Sequence, residues 1–332
     1  MVGVDSARIL GEPMRRTVKR WSFTSLAVLS LLLSWLIFRT TIAVAQQVAD
    51  PNFDPNVNHP AYTAEAPRVL FDEAHLNFHS TQGLYRPFVH LVSNDGYEVI
   101  PNRQIFQPET LVGHDILVIA NAFGQRQGQH AFSEQECDVV SNWVEAGGSL
   151  LLIADHKPFG KAAENLASRF GIDMSDKFTI DLSSYNQDLG VPSFLWFTRE
   201  NGLLGEHLIT QGRNSAEQVN QVMTFTGQSL SIPPEGQALL QLSASAIDLE
   251  NRLRNAEDLR AGQGVSAALR AQGVALQVGR GRVVVLGEAA MLSAQLITTS
   301  NEGPLPIGMS YPESDNQQFA LNLMHWLSGL LS

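Results

Sequence analysis

Acidic and imidazole side chains follow several of the short apolar runs in this 332-residue sequence. Asp155 and His156 come directly after the run LLLIA, and Glu288 stands just beyond the run VVVL. Carboxyl and imidazole groups in one place can divide the roles of general acid and general base. The sequence therefore predicts Asp155, His156 and Glu288 as candidate catalytic residues, and acid–base chemistry as their reaction.

A second polar group begins where the first apolar run ends. The candidate ligand-binding residues are Asp72, Glu73, His75, Asn77 and His79, together with Asn121 after a later run. A helix would place His75 and His79, four residues apart, on one face, as in some metal sites. The pattern is not a strong zinc motif, so two uses stay open. One is a divalent metal held by His75 and His79, and the other is ligand recognition by hydrogen bonds without metal. A polar loop bonded to its own backbone is the alternative without function.

The pair Asp155–His156 lies at a sharp strand-to-helix exit, before Pro158 and Gly160. A nucleophile elbow occupies this place in related α/β proteins, but neither Ser nor Cys stands here. Asp155 would act as base or nucleophile and His156 as acid or base. The structural alternative is that Asp155 caps the next helix.

Glu288 lies in a small, apolar stretch, where a carboxylate needs a partner. Arg86 and a site histidine are the candidates. The alternative is an ion pair that only fixes a loop.

The elements that carry these residues alternate between strand and helix patterns. Strands are predicted at 68–71, 97–100, 115–120, 150–154, 221–225, 238–242, 274–278 and 282–286, the last two as a hairpin. Helices are predicted from Leu84, from the capping box Ser133–Glu136, over 161–170 and over 315–331, where Asp315 is the cap. Residues 172–215 are predicted as a lid or an insertion, and 247–270 as a helix or an exposed loop.

This alternation, with strands that are apolar on both faces, predicts an α/β fold with a doubly wound, mostly parallel sheet and helices on both faces. Ligands bind outside the carboxyl ends of the strands in such a sheet. The polar residues at those strand ends are therefore expected to come together.

The first 45 residues have the three parts of a secretory signal peptide. Basic residues follow Met14, an apolar stretch covers 26–38, and A-V-A ends at Ala45. We predict Met14 as the start and export to the periplasm or the medium, with membrane contact only if the segment stays uncleaved. Residues 46–66 are predicted as an extended leader, and 67–332 as a single domain.

Composition excludes some partners and leaves others open. The net charge is −11, and removal of 1–45 makes it more negative, which argues against nucleic acid as a partner. No Walker or dinucleotide fingerprint occurs, so no nucleotide cofactor is expected. The single cysteine, Cys137, cannot form an internal disulfide. A small polar ligand is the expected partner, and the oligomeric state is not predicted.

Five stretches carry a resemblance to a known family: VLFDEAHLNFH (69–79), LLIADHKPFG (151–160), VMTFTGQS (222–229), VVVLGEAAMLSAQ (283–295) and DNQQFALNLMHWL (315–327). Together they resemble an exported bacterial family of unknown function in the class I glutamine amidotransferase-like superfamily. The resemblance covers most of residues 67–331. It implies a flavodoxin-like sheet, with the superfamily's nucleophile position at about Asp155 or His156.

That resemblance implies two different functions. The cysteine of true glutaminases is missing at Asp155–His156, so an enzyme here would be a hydrolase other than a glutaminase. Relatives in the superfamily include sugar-utilisation proteins, which makes a saccharide one candidate for the small polar ligand. Other relatives belong to envelope transport machinery, and they imply the alternative of a non-catalytic binding domain for envelope assembly or transport.

Overall fold

The computed structural model describes residues 46–125, 128–252, 264–298 and 303–332. The predicted signal peptide, 1–45, lies outside the described residues. The helices are α1 Arg86–Asn94, α2 Pro108–Leu111, α3 Glu134–Glu145, α4 Phe159–Ser168, α5 Leu208–Gln211 and α6 Asn316–Leu327. Within the described ranges, none of the helices has the length and apolar character needed to cross a membrane.

Fifteen strands are described, in four sheets. They are β1 Gln46–Ala49, β2 Arg68–Asp72, β3 Glu98–Asn102, β4 Ile116–Ala120, β5 Ser149–Ile153, β6 Phe178–Ile180, β7 Phe194–Thr198, β8 Gln221–Phe225, β9 Gln237–Gln241, β10 Ile247–Leu249, β11 Gly264–Ser266, β12 Ala271–Val278, β13 Gly281–Leu286, β14 Ala294–Thr298 and β15 Leu305–Gly308.

The central sheet has seven strands in the order β3-β2-β4-β5-β13-β12-β9. The first five are parallel, and β12 and β9 extend them as antiparallel neighbours. Numbered along the chain, the parallel strands have the order 2-1-3-4-5, which is the flavodoxin-like order. The predicted doubly wound fold is confirmed, as is the hairpin formed by β12 and β13.

Two hydrophobic cores lie on the two faces of this sheet. Successive strand residues point to opposite faces. Val118 and Leu151 therefore pack with α1 and α6, whereas Leu117 and Leu150 pack with α3 and α4. Strands β4 and β5 are buried along their whole length, as strands covered on both sides must be. Helices on both faces thus fix the positions of the strand ends.

The segment predicted as a lid or insertion forms short strands of its own. Strand β6 joins β10 and β11 in a small sheet, and β7 pairs with β8 in another. Strand β10 also corrects the prediction of a helix or exposed loop over 247–270, of which 253–263 lie outside the described residues. Strands of three residues are too short for their periodicity to be visible in the sequence.

Two local predictions need correction. Residues 46–49, predicted as part of an extended leader, form β1 and pair with β14. Asp315 does precede α6, but its side chain does not cap it. Its Oδ2 instead accepts hydrogen bonds from the backbone N–H groups of Asn220 and Gln221, at 2.7 and 3.1 Å. The Asp315 carboxylate therefore bonds to the backbone at the start of β8 and not to the first turn of α6.

Candidate functional site

The crevice between β2 and β4 is the topological switch point of this sheet, where ligands of flavodoxin-like folds bind. Here the loop that follows β2 occupies it. His75 O accepts hydrogen bonds from the N–H groups of Phe123 and Gly124, at 3.1 and 3.0 Å. Phe78 N–H donates to Asn121 O at 2.8 Å. The loops after β2 and β4 are therefore bonded to each other, and accessible chemistry lies further along the edge.

The ring of His75 holds this loop in place. Its Nδ1 lies 2.9 Å from Asp72 Oδ2, and its Nε2 lies 2.9 Å from Glu136 Oε1. Burial of the ring opposes protonation, but the hydrogen bonds and charges of Asp72 and Glu136 outweigh it and raise the pKa of His75. The ring is also packed between Phe106 and Phe132. It thus forms a buried ionic link from the end of β2 to helix α3.

This geometry corrects the premise of a metal site at His75 and His79. The segment 73–80 is not helical, so the two rings share no helix face. Both nitrogens of His75 already have carboxylate partners. Across the described ranges, no group of three or more His, Cys, Asp or Glu side chains is placed to hold a metal ion.

The other side chains predicted to bind a ligand from this loop are engaged within the protein. Asp72 is fully buried and accepts from Asn77 Nδ2 at 3.0 Å. Glu73 accepts from both the N–H and the hydroxyl of Thr81, at 2.9 and 2.7 Å. These contacts favour a supporting role for Asp72, Glu73, His75 and Asn77, which shape the loop.

His79 lies deeper than the sequence suggested. The residue is 3% exposed, and its ring packs at a tilt against Tyr85, with centroids 4.5 Å apart. Its Nδ1 is buried without a hydrogen-bond partner among the described residues. Burial lowers the pKa of His79 to about 3, so the ring is neutral. It contributes a neutral imidazole next to Tyr85.

The exit of β5 is fixed by two amide side chains from other loops. Asn121, at the end of β4, accepts from Asp155 N–H at 2.8 Å through Oδ1. Gln228 Nε2 donates to the carbonyl oxygens of Ala154 and Asp155, at 2.8 and 2.9 Å. Asp155 Oδ1 in turn accepts from His156 N–H at 2.8 Å. These contacts hold the backbone at this exit firmly, and the side chain of Asp155 stays partly exposed.

Glu288 lies beside Asp155 but is completely buried. We expected Arg86 or a histidine as its partner, and this is corrected. Its oxygens accept the N–H groups of Ala290 and Met291, both at 2.7 Å. The donors thus come from the short turn that directly follows Glu288 in the chain. No sequence pattern predicts this contact. Glu288 cannot itself touch a ligand in this arrangement.

The two carboxyl groups titrate as a pair. Burial raises the pKa of Asp155 to about 7. Burial, with the nearby Asp155 charge, raises the pKa of Glu288 well above its usual value. Two acids in one buried place cannot both ionise freely, so the pair keeps a proton near neutral pH. The side chain of Asp155 is 16% exposed, and that proton can therefore reach a ligand only through Asp155.

His156 is the complementary group. Its Nδ1 lies 2.9 Å from the carbonyl oxygen of Lys157, which can only accept, so Nδ1 carries the hydrogen and Nε2 the lone pair. Burial lowers the pKa of His156, which keeps the ring neutral. Nε2 lies 4.0 Å from Asp155 Oδ1. A proton-holding acid and an unprotonated base therefore stand side by side.

Several residues of this edge escaped the sequence analysis. Phe159 lies between Phe78 and Phe123, with ring centroids 6.0 and 6.1 Å away, and Phe78 is 56% exposed. Together these three rings form an aromatic rim around the exits of β4 and β5. Extending the strand-exit rule from polar to aromatic residues would have found Phe123 and Phe159. The roles of Tyr85 and Gln228 depend on tertiary contacts and have no local signal.

Backbone strain gathers around the same edge. Asn121 and Thr226 have positive φ angles of 51° and 81°. Such an angle is a clear outlier for a β-branched residue. Thr226 is held by Ser193, whose hydroxyl lies 2.7 Å from its own. Strained residues of this kind cluster at ligand sites, and this supports placing the site here.

No family model matches the chain, and no curated protein matches its sequence. Among solved structures, the N-terminal domain of mmIFT52 is similar with a TM-score of 0.53 and 14% identity, over 79% of this chain and 97% of that one. A ThuA-like protein from Bacteroides uniformis has a TM-score of 0.43 and 13% identity, over 81% of this chain and 95% of that one. A ThuA-like protein from Parabacteroides merdae has a TM-score of 0.43 and 11% identity, over 80% and 91%.

These likenesses establish the fold and nothing finer. At 14% identity, the match to the mmIFT52 domain shows a shared architecture over nearly all of that domain. The other two TM-scores are below 0.5 and support no argument about this chain. The class defined by fold and edge geometry is a flavodoxin-like α/β domain with an acid and a base at the exit of β5.

Proposed function

We propose that this chain is an exported, glutamine amidotransferase-like hydrolase that acts on a small polar ligand, with a saccharide as the favoured candidate. The observation that carries the proposal is the placement of Asp155 and His156 side by side at the exit of β5, with His156 Nε2 4.0 Å from Asp155 Oδ1. Burial raises the pKa of Asp155 to about 7 and lowers that of His156, which suits them as acid and base. Environments that drive two neighbouring pKa values apart are typical of acid and base catalysts.

In the proposed reaction, water adds across one bond of the ligand. His156 Nε2 takes a proton from the attacking water, and the Asp155 carboxyl gives its proton to the leaving atom. The proton on His156 then returns to Asp155 through solvent, which restores both groups. Glu288 has a positioning role, because its buried carboxyl keeps its own proton beside Asp155 and adds no negative charge there near neutral pH. The aromatic rim would cover the apolar face of a sugar ring.

One observation favours the alternative, a non-catalytic binding domain for envelope assembly or transport. Neither Ser nor Cys stands at the exit of β5, so a covalent route of the glutaminase kind has no nucleophile there. In that case the same edge would only recognise its ligand.

The test is a hydrolase screen with nitrophenyl glycosides and esters, alongside a glycan-binding screen. Asp155→Asn and His156→Gln should each lower an observed turnover by roughly 10²- to 10⁴-fold, the usual contribution of a general acid or base. Matched controls are Asp188→Asn, at an exposed carboxyl, and His130→Gln, at an exposed imidazole. Binding without turnover would support the alternative function. Full turnover in both site variants would remove this edge from consideration.

A further inference from the structure

A second surface with ligand-binding character lies on the small sheet formed by β7 and β8. Trp196 and Thr198 are on the same side of β7, because side chains alternate along a strand. Thr198 pairs with Gln221 across the sheet, so these two residues point to the same side. Leu195 and Phe197, on the opposite side, are fully buried in the core. The outer face of this sheet therefore carries Trp196, Thr198 and Gln221.

A groove of about 500 Å³ covers this face. Ser183, Ser184 and Tyr185 form one wall, and Asn201 and Glu313 lie at its border. The volume is within the usual range of roughly 300–1,000 Å³ for small-molecule sites. A groove of this size holds a ligand of one to a few sugar rings.

The polar wall of the groove is held rigidly from beneath. Asp181 is fully buried, and its carboxylate accepts the hydroxyls of Ser183 and Ser184, at 2.9 and 2.8 Å. The Ser183 oxygen also lies 2.9 Å from the Ser245 hydroxyl and 3.0 Å from the Ser243 hydroxyl, so it belongs to a fixed serine network, whereas the Ser184 oxygen keeps lone-pair capacity for a ligand donor. The indole of Trp196 is fixed from one side by Tyr311, with ring centroids 5.9 Å apart, and stays partly exposed. The groove thus combines a fixed apolar plane with fixed neutral polar groups.

The lining determines the class of ligand. Among the described residues of the groove, none is Lys or Arg, and Glu313 is the one charged side chain. Phosphate and carboxylate ligands are therefore disfavoured. Hydroxyl and amide groups beside a partly exposed aromatic plane suit a molecule with one apolar face and many hydroxyls. We propose that this groove is a binding site for a neutral saccharide, with Trp196 as the stacking residue.

This site is separate from the edge at Asp155. Gln221 begins β8 and Phe225 ends it next to the loop that packs on Glu288, so about 13 Å separate the two ends at ~3.3 Å per residue. The groove would serve as an accessory binding site, which holds a saccharide without reacting with it. The proposal does not depend on hydrolysis at Asp155.

The test measures binding of cellotetraose, maltotetraose, chitotetraose and mannotetraose to the full chain by calorimetry, with tetragalacturonate as an anionic probe. At least one neutral probe should bind, and Trp196→Ala should weaken its binding at least tenfold. Trp196→Phe should give a smaller loss, and it serves as the second variant should Trp196→Ala not fold. Trp143→Phe, on helix α3, is the matched control and should bind as the wild type.

Three outcomes would overturn the inference: no neutral probe binds, tetragalacturonate binds more tightly than the neutral probes, or the Trp196 variants bind unchanged. The Asp155→Asn variant separates this inference from the proposed function, since it should bind the probe as the wild type does. Loss of binding in Asp155→Asn, with the Trp196 variants unaffected, would place the ligand at the strand edge instead.

Discussion

His75 Nε2 lies 2.9 Å from Glu136 Oε1, and this contact joins the loop after β2 to the first turn of helix α3. Glu136 is also the N3 residue of the capping box, where its Oε2 accepts from the backbone N–H and the hydroxyl of Ser133. One carboxylate therefore both begins a helix and fixes the loop that fills the switch point.

We expect His75→Gln to destabilise the protein by about 3–5 kcal/mol, the usual cost of breaking a buried ion pair. The pKa of His75 is raised in the folded state, so its contribution is fully present below about pH 6.5 and is lost as the pH rises through the folded value. Urea unfolding should therefore show a larger deficit at pH 6 than at pH 9. His130→Gln, in an exposed pair with Glu164, should change stability by less than about 1 kcal/mol.

The effect of Asp155→Asn on the free energy of unfolding, relative to the wild type, should be more favourable at alkaline pH than at acid pH. The folded pKa of Asp155, about 7, lies above its ordinary value, so the folded state binds more protons between these values. Stability then falls as the pH rises through this window. Removing the titration should improve stability at pH 8 relative to pH 4 by up to about 4 kcal/mol, at 1.36 kcal/mol per pKa unit. An equal effect of Asp155→Asn at both pH values would contradict the raised pKa.

The pH profile of any turnover should have a falling alkaline limb. The acid Asp155 must be protonated, so kcat/KM should decrease about tenfold per pH unit above about pH 7. The base His156 must be neutral, and its lowered pKa places the acid limb below pH 6.5. Steady-state rates from pH 4 to 9 give both limbs. Activity that continued to rise beyond pH 8 would show that Asp155 is not the acid.

Gly160→Ala should disturb the exit of β5 through packing alone. A Cβ at Gly160 would lie 2.5 Å from Gln228 Oε1 and 2.9 Å from Asp176 Cα. Gln228 holds the Asp155 carbonyl, so its displacement should loosen the site. We expect a loss of about 1–3 kcal/mol by thermal unfolding, typical of overpacking. Gly303→Ala, where a Cβ meets no neighbour within 4 Å, is the control and should be close to neutral.

The parts of this fold that the sequence predicted are those with long, uniform patterns. The fully apolar runs of β4 and β5 and the capping box at Ser133 carry their structural information locally, and all three were found. The convergence of Asn121 with Asp155 was also predicted, because parallel strand ends meet at one edge of a sheet. The two residues are indeed in contact, since Asp155 N–H donates to Asn121 Oδ1 at 2.8 Å.

The interpretation of the loop after β2 was less successful, for a physical reason. A row of acids and imidazoles looks the same in the sequence whether it faces a ligand or its own chain. Here Asp72 bonds to His75, and His75 also bonds to Glu136, which is 61 residues further along the chain. Likewise, the partners of Glu288 are the N–H groups of Ala290 and Met291, and every residue has such a donor except proline. Neither contact can be predicted from residue types or from their spacing in the sequence.

The loop after β2 occupies the crevice at the switch point and would compete with any ligand for that space. Any molecule that entered the crevice between β2 and β4 would first have to displace the backbone bonds of His75 and Phe78 and the ionic link beneath them. Each 1.4 kcal/mol that holds the loop in place lowers the apparent affinity of such a molecule about tenfold. The crevice between β2 and β4 is thus filled by the chain itself, and the proposed ligand would bind at the neighbouring exit of β5, where Asp155 and His156 lie.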